Sequence, residues 1–184
     1  MSKILIFFAE GFEEIEGLTV VDLCRRAKLD ISTVSVTDSN KVVSSHNIEI
    51  TTDKVISEVN FDEADMIVLP GGIPGTPNLA ACKTLVDNLI KFNELGKMLA
   101  AICAAPSVLG NNGILKGKKA TCYPGFENEL LGAEYVVAKA VVSDNVITSC
   151  GMGGSIEFGL AIVAHYCGQE VAADMAVKIR QVLE

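Results

Sequence analysis

Hydrophobic residues fall into two recurring patterns along this chain. Ile4-Leu5-Ile6-Phe7-Phe8 and Met66-Ile67-Val68-Leu69 are continuous apolar runs bounded by turn residues, as expected of strands buried on both faces. Met98 to Ile102 reads the same way. Between these runs apolar positions recur at helical spacing. Residues 14–28 place Ile15, Leu18, Val21 or Asp22, and Ala27 on one stripe, with Arg25, Arg26 and Lys28 at the end where cations complement the helix dipole. A strand fits 31–36. A hairpin fits 41–51, with Ser44-Ser45-His46-Asn47 as its turn. A helix is predicted over 79–95 and another after Pro106. Short strands are predicted at 119–123, 135–142 and 146–149, and helices at 153–167 and 169–183, separated by Gly168.

Alternating buried strands and helices imply a flavodoxin-like, doubly wound α/β fold with a mostly parallel sheet and helices on both faces. Neither a linker nor a repeat interrupts residues 1–184, so a single domain is expected. Such folds bind ligands at the carboxyl ends of the strands, so the turns after Phe8, Leu69, Ile102 and Thr121 should converge.

Composition narrows the partners. The 184 residues are 49% hydrophobic and 21% charged with a formal charge of −8, which disfavours nucleic acid and anionic membrane surfaces. The six apolar residues after Lys3 run straight into Glu10, Glu13, Glu14 and Glu16. That is too short for a signal peptide, and no apolar run is long enough to span a bilayer, so a cytoplasmic protein is expected. Cysteines at 24, 82, 103, 122, 150 and 167 are widely spaced without a C-x-x-C pair. That pattern points to free thiols, not a disulfide framework or a zinc site.

The chemistry concentrates around Cys103. It stands where a buried strand meets small residues and a helix opened by Pro106, a position that presents a side chain at the sheet edge. Helix amides there would favour the thiolate, so Cys103 is expected to be mostly ionised at neutral pH. The alternative is a buried small hydrophobe. Pro70-Gly71-Gly72 reads either as backbone N–H groups open to an oxyanion or as a tight strand-to-helix turn. Gly151-Met152-Gly153-Gly154-Ser155 matches no phosphate-loop pattern and is taken as the start of a helix. Of the acids at 10, 13, 14 and 16, one turned into the cleft would have a raised pKa and could share a proton with the thiol. His46 is assigned to the solvated hairpin turn, with a dimer-related cleft as the alternative. His165 is assigned to a core edge, Cys24 and Cys167 to packing. Cys122 and Cys150, at strand ends, are either structural or resolving thiols.

The segments A-E-G-F-E-E-I-E at 9–16, V-L-P-G-G at 68–72, A-A-I-C-A-A-P at 100–106 and S-I-E-F-G-L-A-I-V at 155–163 together resemble the ThiJ/PfpI superfamily, in the branch of the parkinsonism-associated protein deglycase. The resemblance implies Cys103 as reactive cysteine, Glu16 as the protonated glutamate beside it, and Gly72 and Ala104 as amides facing the site. It also implies a homodimer without metal or organic cofactor, acting on a small-molecule aldehyde such as methylglyoxal, or on glycated protein, as a glutathione-independent glyoxalase or deglycase. The alternative is a redox-responsive stress protein or chaperone whose cysteine is oxidised to sulfinate; an amidotransferase-like hydrolase ranks third. Two departures stand out. Thr121-Cys122-Tyr123-Pro124 puts Tyr123 where several relatives carry histidine, leaving Tyr123 to orient substrate and Glu16 to move protons. Ala104 follows Cys103 where the protease-like branch has histidine, which argues against a peptidase.

Overall fold

The computed structural model describes residues 3–182. In chain order the elements are β1 (Lys3–Phe8), α1 (Glu14–Arg26), β2 (Asp30–Ser35), β3 (Lys41–Val43), β4 (Glu49–Thr51), β5 (Lys54–Val55), β6 (Met66–Leu69), α2 (Gly75–Ala81) and α3 (Lys83–Glu94). There follow β7 (Met98–Ile102), α4 (Pro106–Asn111), β8 (Lys119–Ala120), β9 (Glu134–Tyr135), β10 (Ala140–Ser143), β11 (Val146–Ser149), α5 (Ser155–Cys167) and α6 (Gln169–Lys178).

Seven strands form one sheet in the order β10-β11-β7-β6-β1-β2-β5. Its pairings are parallel except at the edge, where β10 runs antiparallel to β11. Period-2 alternation splits β1 between two cores. Leu5 and Phe7 join Ile67, Leu69, Leu99 and Ala101 against Leu85, Leu89 and Phe92 of α3 and Val108 and Leu109 of α4. Ile4, Ile6 and Phe8 join Val68, Ala100 and Ile102 against Val20 and Cys24 of α1 and Phe158 and Ile162 of α5. The sheet is therefore covered on both faces, as its apolar strands require. Because β1 lies between β2 and β6, the chain reverses its direction of travel across the sheet there. The crevice at such a switch point lies beyond the carboxyl ends of the strands.

Several predicted elements differ in detail. In α1 the buried stripe is Glu14, Glu16, Gly17, Val20, Val21, Leu23 and Cys24, while Ile15 and Leu18 are 48% and 38% exposed. The helix is turned so that Glu16 faces inward. The predicted 79–95 helix is two helices broken at Cys82, whose backbone is extended. The strand predicted at 119–123 stops at Ala120, because the next amide, of Thr121, donates to the Thr148 hydroxyl at 2.9 Å instead of continuing a ladder. The 135–142 segment serves two sheets, Glu134 and Tyr135 pairing with β8 and Ala140 to Ser143 with β11. The last helix ends at Lys178, followed by left-handed Arg180 with φ 63°; Leu183, in the predicted span, lies outside the described residues. No described helix is long and apolar enough to cross a membrane.

Candidate active site

The turn after β7 holds Cys103 in the left-handed region, with φ 66°. A non-glycine residue there costs roughly 1–2 kcal/mol. Two backbone bonds hold it: its N–H donates to Ser149 O of β11 at 2.9 Å, and its carbonyl accepts from Tyr123 N–H at 2.8 Å. This conformation throws the side chain out of the strand and over the carboxyl end of the sheet, the geometry of a nucleophile elbow. Cys103 is partly exposed, whereas Ala104 and Ala105 behind it are buried.

Glu16 approaches from α1 and is 1% exposed. Its Oε2 accepts the Gly71 amide from the turn after β6 at 2.9 Å. The Cys103 thiol and the Met152 amide beside the carboxyl both favour its charged form. Gly71 is required by close approach. A Cβ there would stand 2.5 Å from the Cys103 Cβ and 2.6 Å from Glu16 Oε2, so any side chain would push nucleophile and acid apart.

Burial raises the Glu16 carboxyl to about 7, and the charge of Glu13 adds to the rise, while the thiol and amide hydrogen bonds pull it down. Burial also pushes the Cys103 thiol up to about 12, helped by the charge of Glu16 and by the hydrogen bond that the thiol donates to it. The Ala104 and Gly72 amides aimed at the sulfur act in the opposite direction. The two groups are coupled, so each biases the ionisation of the other. Burial and the neighbouring carboxylate thus act against the neutral-pH thiolate expected from the amides alone. The amides favour the thiolate, while desolvation and the adjacent carboxylate oppose it.

The turns after β1, β6 and β7 and the segment after Thr121 thus meet as expected, bringing Glu16, Gly72, Cys103, Ala104 and Tyr123 together. A fifth turn was missed. Gly151 and Met152, taken from sequence as the start of a helix, follow β11 and close the site. A Cβ on Gly151 would lie 3.1 Å from Tyr123 Cδ2, 3.7 Å from Cys103 Sγ and 3.7 Å from Glu16 Oε1. The available signal was the position of this glycine loop after a strand parallel to β7. Tyr123 itself is 51% exposed and forms the lip.

His46 is exposed at the hairpin turn, as expected, and is also paired with acids of the first helix. Its Nδ1 lies 2.9 Å from Glu14 Oε1 and 3.7 Å from Glu13 Oε2, and Glu14 holds its pKa above the ordinary value by hydrogen bonding and charge. The hairpin carrying it is fastened to the loop before α1, with Gly11 N–H donating to Val43 O and Ser45 N–H to Phe12 O, both at 2.8 Å. Glu13, Glu14 and His46 are the one set of donors among the described residues close enough to hold a metal, within 4.8 Å of one another. His165 is exposed, not at a core edge, and packs edge-to-face on Tyr166 at 4.7 Å. All six cysteines are free. Burial pushes Cys24 up to about 12 and Cys122 up to about 11, with the charges of Cys167 and Glu127 respectively adding to it; unlike Cys103, both are fully buried.

A doubly wound α/β fold whose elbow cysteine shares a proton with a buried glutamate defines a class of cysteine-centred proteins. The chain belongs to the DJ-1/PfpI family, whose model matches residues 2–165. DJ-1 homolog A of Arabidopsis thaliana is 40% identical over 174 residues, which are 94% of this chain and 44% of that protein; this chain spans less than half of that relative's length. The glutathione-independent glyoxalase DJR-1.2 of Caenorhabditis elegans is 32% identical over 171 residues, covering 92% of this chain and 90% of its own. Among solved structures, oxidized DJ-1 of Toxoplasma gondii superposes with a TM-score of 0.93 at 33% identity, covering 97% of this chain and 98% of its own.

Proposed function

We propose that the protein is a cofactor-independent glyoxalase or deglycase-type enzyme that handles reactive dicarbonyls such as methylglyoxal through Cys103. The observation that carries this reading is the contact between the Cys103 thiol and a buried Glu16 carboxyl with a pKa of about 7, the range in which a general base works best at neutral pH. The similarity to a glutathione-independent glyoxalase supports it.

In this reading Sγ bonds to the aldehyde carbon as the thiol proton passes to Glu16. The carbonyl π pair becomes an oxyanion held by the Gly72 and Ala104 amides, which already point at the sulfur. The oxyanion takes the proton back, giving a hemithioacetal. Glu16 then removes the proton from that same carbon, the electrons flow through an enediol, and protonation of the neighbouring carbon leaves a thioester. Water hydrolyses it to a 2-hydroxy acid and the free thiol. One carbon is oxidised and its neighbour reduced, so no external redox partner enters. Tyr123 orients the substrate from the lip. A peptidase is disfavoured, because Ala104 stands where the Cys-His pair of the protease-like branch would need histidine.

The enzyme works as a cytoplasmic, single-domain homodimer, a state supported by Ile15 and Leu18, exposed one turn apart on α1, and testable by light scattering. Lactate formation from methylglyoxal without glutathione, in wild type and Cys103→Ser, tests the activity. Cysteine-dependent turnover is expected; equal rates refute it. The partial exposure of Cys103 and the oxidized state of the Toxoplasma relative support a second reading, a redox-responsive protein in which peroxide converts Cys103 to sulfinate. Selective oxidation of Cys103 in a protein without turnover would favour it.

A further inference from the structure

The start of α1 and the β3–β4 hairpin bring three donor groups together outside the Cys103 site. Glu13 and Glu14 come from the entry to the helix and His46 from the hairpin turn, and one ligand atom of each lies within 4.8 Å of the others. His46 Nδ1 stands 2.9 Å from Glu14 Oε1 and 3.7 Å from Glu13 Oε2. Ligand atoms around a tetrahedral zinc ion, bonded at about 2.0–2.2 Å, are about 3.4 Å apart. The two observed separations bracket that spacing. Ser45 Oγ lies 3.3 Å from Glu13 Oε2 and 3.2 Å from His46 Nδ1, where it orients both groups.

The Glu14 carboxyl is also incompletely satisfied. Glu14 is only 8% exposed, yet its Oε2 is buried without a hydrogen-bond partner. Burial opposes charge on this carboxyl, while its own amide, His46 and Ser44 favour it; none of the three meets Oε2 with hydrogen-bonding geometry. Among the described residues no lysine or arginine forms an ion pair with Glu13 or Glu14, so two carboxylates share one imidazole. Buried acceptors in native proteins are nearly always satisfied by protein, water or an ion. Water would fill the vacancy at Oε2 but leave the second negative charge unbalanced, whereas a cation bound by this carboxyl does both.

We infer that Glu13, Glu14 and His46 form a binding site for a divalent cation of the zinc class. One imidazole nitrogen with carboxylate oxygens suits zinc, whereas magnesium and calcium take oxygen ligands. Three protein ligands leave a fourth position for water, and the His46 side chain, 65% exposed, opens that position to solvent. Backbone bonds from Gly11 to Val43 and from Ser45 to Phe12 already hold the hairpin against the loop before α1. The ion therefore meets its ligands on two segments that are in place, and it fastens the hairpin to the helix. It takes no part in the reaction at Cys103.

The chain has two histidines, so proton NMR of the imidazoles reads the site directly even though six free thiols also attract zinc. Titrating the wild-type protein with chelator-buffered zinc should shift the His46 resonances, identified by their loss in His46→Asn, and leave those of His165 in place. Magnesium should shift neither. In Glu14→Gln the His46 shift should need at least about tenfold more zinc. Zinc should raise the melting temperature of wild type more than that of His46→Asn. Circular dichroism confirms folding; if Glu14→Gln does not fold, the wild-type shift and the two melts decide. His46 resonances that stay in place in excess zinc overturn the site, including the case in which zinc goes to the thiols instead. A His46 shift at the same zinc level in wild type and folded Glu14→Gln, or equal melting rises in wild type and His46→Asn, overturns it as well.

Discussion

Replacing Glu16 by glutamine removes an ionisation that the fold makes costly, and the effect on stability has a definite sign. The carboxyl titrates at about 7 in the native protein against an ordinary value of 4.5. A group with a raised native pKa contributes stability that is fully present below its unfolded value and is lost as pH rises through its native value. The window is therefore from about 4.5 to about 7. Two and a half pH units correspond to roughly 3 kcal/mol at most, and relaxation around the charge reduces that to a working figure of about 2 kcal/mol. Glutamine keeps the shape but has one acceptor oxygen for the Gly71 and Met152 amides, a loss of about 1 kcal/mol that does not vary with pH. The readout is thus a slope. Thermal melts of wild type and Glu16→Gln should show the variant gaining on wild type between pH 5 and pH 8, by about 4–8 °C for a protein of this size. A difference that stays flat over that range, or one that moves in favour of wild type, would refute the placement of a strained carboxylate at this position.

The same substitution should lower the pH at which Cys103 ionises, because the like charge beside the sulfur is gone; ultraviolet thiolate absorbance, referenced to Cys103→Ser, would show a rise instead if Glu16 stabilises the thiolate. In the methylglyoxal assay Glu16→Gln should fall nearly as far as Cys103→Ser, whereas Tyr123→Phe, which loses only a hydrogen-bond donor, should fall about tenfold or less; the reverse order would reassign the proton transfer. Gly71→Ala should lower stability by about 1–3 kcal/mol and suppress turnover, since its methyl meets both Cys103 and Glu16; a denaturant midpoint and rate equal to wild type would show that the turn yields freely.

Sequence made the sheet and the nucleophile legible because both depend on local pattern. Continuous apolar runs name β1, β6 and β7, and an alternating α/β order fixes where their carboxyl ends gather. Glu16 came through the family resemblance, since its local context is an ordinary acidic first turn. Its inward direction is decided by the Gly71 amide, 55 residues away. The same rotation explains why Ile15 and Leu18, on the apolar stripe read from sequence, are exposed. The influences that oppose a Cys103 thiolate were not legible, because neighbouring amides are visible in sequence, while desolvation and the distance to a carboxylate are not. Gly151 escaped because its closeness to Cys103 and Glu16 is set by how distant strands align, which local pattern does not reveal.

The parallel ladder has a consequence for how the site comes into being. Its groups are carried by residues 16, 71, 103, 123 and 151, and their alignment rests on pairings such as Leu69 with Ala101 and Ser149 with Ile102. A slip of one residue in any of these strands would turn every side chain to the opposite face. No hairpin, half-sheet or early compact state can therefore place thiol, carboxyl and amides together. Recovery of thiol chemistry during refolding should be the last signal to return, arriving after helical content, which makes Cys103 a chemical clock for completion of the sheet.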